Sequence, residues 1–232
     1  MVGILLICTG KYDQFVSPLI DSLEKNFLLE EKKKYYLFTD KDLVDTRAFH
    51  VKIERRGFPG DTLYRFHHFL SIKKLLLEET KYLYYSDVDM MCVNEIGSEI
   101  LPTKFKTLIG TAHPGYFMKS LGTPEDNKES TAFIGSEEYR PCYWAGGFSG
   151  GITQRYLEMA ESISKNIDID SLRNHNAKWH DESHLNRYFT TNLKDVKTMN
   201  PSYCYFAAHC SGNPYLTPRL VTLEKDHEAV RS

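Results

Sequence analysis

Three stretches of the chain carry side chains whose types and spacing can do chemistry. In Asp87-Val88-Asp89 two carboxylates lie two residues apart, so in an extended backbone both point to one side and can share a divalent cation. Oxygen ligands of this kind suit Mg²⁺ or Mn²⁺, which a nucleotide diphosphate would bridge. The same triplet also occurs as a solvated turn. Its context favours a ligand site, because it follows a segment bearing Tyr82, Tyr84 and Tyr85 in an alternating strand and helix pattern.

The second stretch is Trp179-His180-Asp181-Glu182-Ser183-His184. Histidines at i and i+4 share a helix face, as in zinc hydrolases, but there the glutamate follows the first histidine directly and here Asp181 intervenes. The stretch also reads as a helix N-terminus whose Asp181 and Glu182 complement the dipole. In a third reading Glu182 sits in a cleft as a carboxylate nucleophile, or as a stabiliser of an oxocarbenium-like centre. The third stretch is the tail 224–231, where Lys225, His227 and Arg231 can converge on a phosphate if the tail folds over it; on composition alone it is a solvated terminus. His113, in His113-Pro114-Gly115-Tyr116, either stabilises a turn or hydrogen-bonds a sugar hydroxyl.

The elements that must position these groups follow from periodicity. Val2–Cys8 is a continuous apolar run, as a strand buried on both faces requires. A helix is expected over 15–27, where Phe15, Leu19, Leu23 and Phe27 recur at i, i+4. Lys32-Lys33-Lys34 reads as a solvated charge run before a strand over 35–39, with a further strand at 51–53. A long helix fits 62–77, then a strand over 81–86 ends in the carboxylate pair. This is the layout of an open α/β sheet, in which ligands bind beyond the carboxyl ends of the strands. A strand over 105–112 leads into the turn at His113. Residues 119–140 read as a long loop able to move over a site, 144–151 as a glycine-rich segment that lets backbones approach closely, and helices are expected over 155–165 and 181–188. The tail 223–232 is helix-compatible. With no repeat or linker, the chain reads as one continuous unit.

Composition excludes several classes. The 232 residues are 41% hydrophobic and 26% charged, enough for a core and unlike a disordered chain. A net charge of −2 argues against binding nucleic acid by phosphate neutralisation. The apolar runs fall far short of the roughly 18 residues that span a bilayer, and the opening segment lacks the basic region and cleavage site of a signal peptide. Cys8, Cys92, Cys142, Cys204 and Cys210 are odd in number and include no Cys-x-x-Cys, which points to unpaired thiols in a reducing compartment. Aromatic residues reach 13%, suited to core packing and to stacking on bases and sugars.

Six blocks, YYSDVDM (84–90), AHPGYF (112–117), YWAGGFSGG (143–151), KWHDESHLNRYF (178–189), NPSYC (200–204) and EKDHEAVR (224–231), resemble in sequence and order those of glycosyltransferase family 6. That family holds the ABO blood-group transferases, the α-1,3-galactosyltransferase and bacterial relatives. The resemblance runs from VGILLICTGKY (2–12) to the last residues. It implies a GT-A fold with a mixed central sheet, formed as a single domain over 1–232. About 1–90 would bind the nucleotide sugar, and about 91–232 would bind the acceptor and supply a closing tail. It also implies retaining transfer of galactose or N-acetylgalactosamine from a UDP donor to O3 of a galactose.

By this match Asp87 and Asp89 hold Mn²⁺, with Mg²⁺ as the alternative, and Glu182 lies beside the anomeric carbon. Ile7, Thr9, Tyr12 (at the uracil), Arg65, Val88, Ala145, Gly146, Gly147, Asp181, Lys225 and Arg231 would join the two aspartates in binding the donor. His113, Trp179 and Glu182 would bind the acceptor. In the mammalian enzymes the positions matching Ala145 and Gly147 separate the two donors, and two small residues there favour UDP-GalNAc over UDP-Gal. Many bacterial relatives carry asparagines in place of the metal aspartates; this chain keeps both, so metal dependence is expected. Phe206 stands where the mammalian enzymes have an acceptor-binding aspartate, which leaves open whether the galactose-terminated acceptor is fucosylated. With no anchor or stem in this sequence, a cytoplasmic enzyme of bacterial or phage type is expected. The competing readings are a sugar-binding protein on the same fold and a zinc hydrolase using His180 and His184.

Overall fold

The computed structural model describes residues 1–226, 229 and 230. Strand β1 (Val2–Cys8) is buried along nearly all its length because parallel neighbours flank it on both sides, β2 (Lys33–Thr39) and β4 (Tyr82–Ser86). β3 (Ala48–Lys52) continues the parallel set beyond β2. On the other side β7 (Trp144–Ile152) runs antiparallel to β4, β6 (Leu108–Ala112) antiparallel to β7, and β8 (Val196–Met199) parallel to β6. The mixed sheet therefore has the order β3-β2-β1-β4-β7-β6-β8. The chain builds outward from β1 in one direction and then returns to place β4 on its other side. A crevice opens beyond the strand ends at such a reversal.

Two apolar layers cover the sheet. One packs α1 (Val16–Asn26) against residues such as Ile4, Leu6 and Tyr84. The other packs α3 (Arg65–Ser71) and α5 (Thr153–Leu172) around Phe69, Trp144 and Tyr156. The glycine content of β7 has a packing cause, since a Cβ on Gly150 would lie 2.3 Å from Cδ1 of Tyr84. That ring stacks on Phe148 at 6.0 Å.

Several elements depart from expectation. The helix expected over 15–27 is a 3-10 turn, Gly10–Phe15, followed by α1. That expected over 62–77 is broken into α2 (Gly60–Leu63), α3 and α4 (Lys73–Glu79), with Tyr64 and Ile72 leaving helical geometry at ψ 14° and 23°. Arg56 lies over the Tyr64 ring at 4.6 Å, and the break after Tyr64 lets Arg65 turn inward. Lys33 and Lys34 are not a solvated run: they open β2, and Lys34 Nζ donates to both Glu79 oxygens at 2.7 and 2.8 Å. The helix expected over 155–165 extends to Leu172, because its buried stripe continues through Ile167 and Asp170. α6 spans His180–Thr191.

Residues 119–140 lack regular structure, as their composition suggests, and are anchored at several points. Ser130 Oγ and the Thr131 N–H donate to the buried Asp170 carboxylate at 2.6 and 2.9 Å. The Lys178 N–H donates to the buried Glu125 at 2.6 Å, and Arg187 pairs with Glu138. These bonds tie the segment to α5, α6 and the turn before α6.

A second, two-stranded sheet pairs β5 (Met90–Cys92) with β9 (Leu220–Thr222). It returns the chain to Asp89, whose carbonyl accepts the Leu223 N–H at 2.9 Å. Of the expected tail helix, Ala229 and Val230 are helical and 223–226 are not; His227, Glu228, Arg231 and Ser232 lie outside the described residues. All five cysteines are free, and among the described residues no helix is long and apolar enough to cross a membrane.

Candidate active site

The crevice at the β1/β4 reversal is a cleft of about 310 Å³. β1 brings Ile7 to it, and the turn after β1 brings Thr9 and Tyr12. β4 brings Tyr85 and, past its end, Asp87, Val88 and Asp89, while Arg65 enters from α3 and Lys225 from the tail. Eight residues expected at the donor thus line one cavity. The Asp87 backbone is held by its N–H donating to the Gly147 carbonyl at 2.9 Å, and Tyr85 Oη donates to Asp87 Oδ1 at 2.5 Å. Asp89 is buried, and the Lys225 ammonium forms an ion pair with its Oδ2.

These residues fit a divalent cation. Both carboxylates face one cavity, and an ammonium already balances Asp89 there. Two carboxylates completed by phosphate oxygens and water are how Mg²⁺-like ions are held beside a diphosphate. Among the described residues no cluster of three or more His, Cys, Asp or Glu side chains can hold a metal without such a ligand. His180 and His184 do not converge as a zinc pair would. His184 is buried 3.8 Å from Asp170, and the His180 ring packs edge-on against Phe58 at 5.3 Å.

Beside the cleft lies a second group. His180 adopts φ 53°, a left-handed conformation that is strained for a side-chain-bearing residue and turns the chain into α6. The next two residues are Asp181 and Glu182, in the first turn, where negative charge complements the helix dipole. Asp181 Oδ2 lies 2.7 Å from Arg65 Nε. The contact is not aligned as a hydrogen bond, and neither Asp181 oxygen has a hydrogen-bond partner. Oδ2 is paired by charge with Arg65, and Oδ1 keeps acceptor capacity that a ligand hydroxyl can fill. Arg65 Nη1 donates to the Gly146 carbonyl at 2.6 Å, and the Gly146 N–H donates to Glu182 Oε2 at 2.7 Å. One peptide segment therefore holds both the arginine and the glutamate.

Burial raises the Asp181 carboxyl, with Arg65 pulling the other way. Although burial opposes it, Asp181 together with Tyr85 and Asp87 holds the Arg65 guanidinium above its ordinary value. Glu182 is pushed up to about 7 by burial, and the Asp181 charge adds to this against the Gly146 N–H and the Tyr143 phenol. Folded Glu182 thus binds its proton more tightly than in the unfolded chain, whose value is 4.5. Its contribution to stability is full below that value and is lost as pH rises toward about 7. The Tm of ligand-free protein should fall across this window, and Glu182→Gln should flatten the fall. Equal slopes would contradict this environment for Glu182.

A second cleft, of about 360 Å³, lies beyond β6 and is lined by His113, Tyr116, Tyr143, Met199 and Asn200 among others. Burial chiefly, aided by His209, lowers His113 to about 4, so its ring is neutral at pH 7. Its Nδ1 accepts the Gly115 N–H at 3.1 Å, which assigns the proton to Nε2 as a donor. Trp179 is 46% exposed, and its indole N–H donates to the Thr123 carbonyl and hydroxyl at 3.1 and 2.9 Å. Of the residues expected at the acceptor, only His113 lines this second cleft; Trp179 and Glu182 line neither cleft.

Not every expected donor residue reaches the cavity. Ala145, Gly146, Gly147 and Asp181 do not line the donor cleft. Ala145 packs in the core cluster that includes Met199 and Cys204, and a Cβ on Gly147 would meet Asp87 Oδ2 at 3.0 Å and Cys204 Sγ at 3.2 Å. Arg231 lies outside the described residues. Conversely, Arg55, Phe58, Asp61 and Tyr85 line the cleft without having been singled out. Asp61 accepts from Thr9 Oγ1 at 2.9 Å and from the Arg56 N–H at 2.6 Å. The available signals were the turn 57–60 before Asp61 and the two-residue spacing of Tyr85 from Asp87.

The mixed sheet, with its cleft at the β1/β4 reversal, is that of a GT-A-like glycosyltransferase. The sequence model of glycosyltransferase family 6 matches residues 1–232, and the chain belongs to that family. It is 32% identical over 198 residues to the O-antigen biosynthesis glycosyltransferase WbnI of Escherichia coli, with 83% of each chain covered. It is 29% identical over 247 residues to histo-blood group ABO system transferase 1 of Rattus norvegicus, covering 100% of this chain and 68% of the relative. With globoside alpha-1,3-N-acetylgalactosaminyltransferase 1 of Homo sapiens it shares 28% over 243 residues, covering 100% and 68%.

Proposed function

We propose that the protein transfers N-acetylgalactosamine from UDP-GalNAc to O3 of a terminal galactose, fucosylated or not, with retention of the α configuration. The observation that carries this reading is a single cleft lined by Asp87 and Asp89 together with Ile7, Thr9 and Tyr12, whose Arg65 is linked through the Gly146 peptide to Glu182. Ile7, Thr9 and Tyr12 hold the uridine. Asp87 and Asp89 would hold Mn²⁺ or Mg²⁺, which neutralises the diphosphate leaving group when bound. Lys225 would turn from Asp89 to the phosphates, Arg231 would add positive charge for the diphosphate, and closure would shut water out of the cleft. Asp181 accepts hydrogen bonds from donor-sugar hydroxyls, and Arg65 holds that carboxylate in place. His113 and Trp179 orient the acceptor. Glu182 acts on the anomeric carbon as a nucleophile or as the stabiliser of a same-face ion pair.

The activity named for the globoside transferases among the relatives supports N-acetylgalactosamine. Five free thiols support a reducing, cytoplasmic setting. UDP release in the presence of 2′-fucosyllactose or lactose should be faster from UDP-GalNAc than from UDP-Gal by about 10–200-fold, the discrimination that pocket size supplies. A preference for UDP-Gal would replace this donor with galactose. Tight UDP binding without turnover of either donor would favour a sugar-binding protein.

A further inference from the structure

We infer that Tyr85 is the positioning residue that fixes Asp87 for cation and diphosphate binding; this rests on the proposed cation role of Asp87 and Asp89. Tyr85 and Asp87 are two apart where β4 ends, so both side chains leave the same side of the strand. The phenol donates to Asp87 Oδ1 at 2.5 Å. The ring itself has no room to swing away, because the Arg65 guanidinium covers it at 4.3 Å and Phe69 packs against it at 5.6 Å. Tyr85 is only 4% exposed, yet it borders the donor cleft.

Asp87 is therefore held twice, its backbone by Gly147 and its carboxylate by Tyr85. An ionised carboxylate has about four lone-pair sites, so a single phenol bond orients it and leaves acceptor capacity for a cation. A phenol is ordinarily protonated at neutral pH, so it can serve as the donor here. The same Arg65 that covers the ring also pairs with Asp181. The carboxylate on the diphosphate side and the carboxylate on the sugar side thus share one buried stack.

Tyr85→Phe removes the hydroxyl and keeps the ring under Arg65, so the fold is retained. Mn²⁺ binding would be measured by the electron paramagnetic resonance of free Mn²⁺ in protein saturated with UDP. The Kd for Mn²⁺ should rise about tenfold or more, the usual cost of losing a hydrogen bond to a metal-holding carboxylate. UDP affinity without metal should not change. In turnover, the Mn²⁺ concentration for half-maximal rate should rise while kcat at saturating Mn²⁺ is retained. Tyr85→Phe should add nothing in an Asp87→Asn background, and additive losses there would overturn the inference. Equal Mn²⁺ affinity in wild type and variant would overturn it while leaving the cation reading standing. A wild type that takes up no Mn²⁺ with UDP would overturn both.

Discussion

Glu182→Gln should abolish sugar transfer while leaving UDP binding nearly unchanged. The substitution keeps shape and an acceptor oxygen, so the bond from the Gly146 N–H survives and the start of α6 stays in place. What it removes is the negative charge available to the anomeric centre. UDP would bind in the cleft between Tyr12 and Asp87, which Glu182 does not line. Losing one preorganised electrostatic group at a reacting centre costs about 10²–10³-fold in rate, and losing a nucleophile costs more. Isothermal titration with UDP and single-turnover transfer separate the two effects. Transfer at the wild-type rate would mean that Glu182 is not catalytic.

The second large effect is on stability. Arg65 and Asp181 are both buried, at 5% and 1% exposure, and face each other at 2.7 Å. Arg65→Met leaves the Asp181 charge buried alone and also frees the Gly146 carbonyl. Breaking a buried pair by removing one partner costs about 3–5 kcal/mol. For a chain of this size that lowers Tm by roughly 6–20 °C. The double variant Arg65→Met/Asp181→Leu should recover part of the loss, because no charge then remains without its partner. If Arg65→Met melts with the wild type, the pair is not the buried strut described here.

The site was readable from the sequence wherever chemistry and local periodicity coincided. Asp87 and Asp89 follow an apolar strand, and Asp181 and Glu182 open a helix, so residue type and position agreed. Arg65 was readable only through the family resemblance, because its burial depends on a break at Tyr64 that helical periodicity does not show. Tyr85 and Asp61 gave no comparable signal. A tyrosine in a strand is ordinary core, and only the packing of Arg65 and Phe69 turns its hydroxyl toward Asp87. β5, β8 and β9 have three or four residues each, too few for a period-two pattern to stand out. Residues 119–140 misled for a related reason: their polar composition resembles that of a mobile loop, while their anchors, Asp170 and Lys178, lie far along the chain.

The proposed function requires that sugar leave a UDP donor with its configuration retained and that the carboxylates at 87, 89 and 182 take part. Proton NMR of the product formed from UDP-GalNAc and a galactose-terminated acceptor, with Mn²⁺ and with excess EDTA, tests it most directly. An α-linked product at O3 is expected in the first sample and none in the second. A β-linked product, or transfer that EDTA leaves untouched, would contradict it.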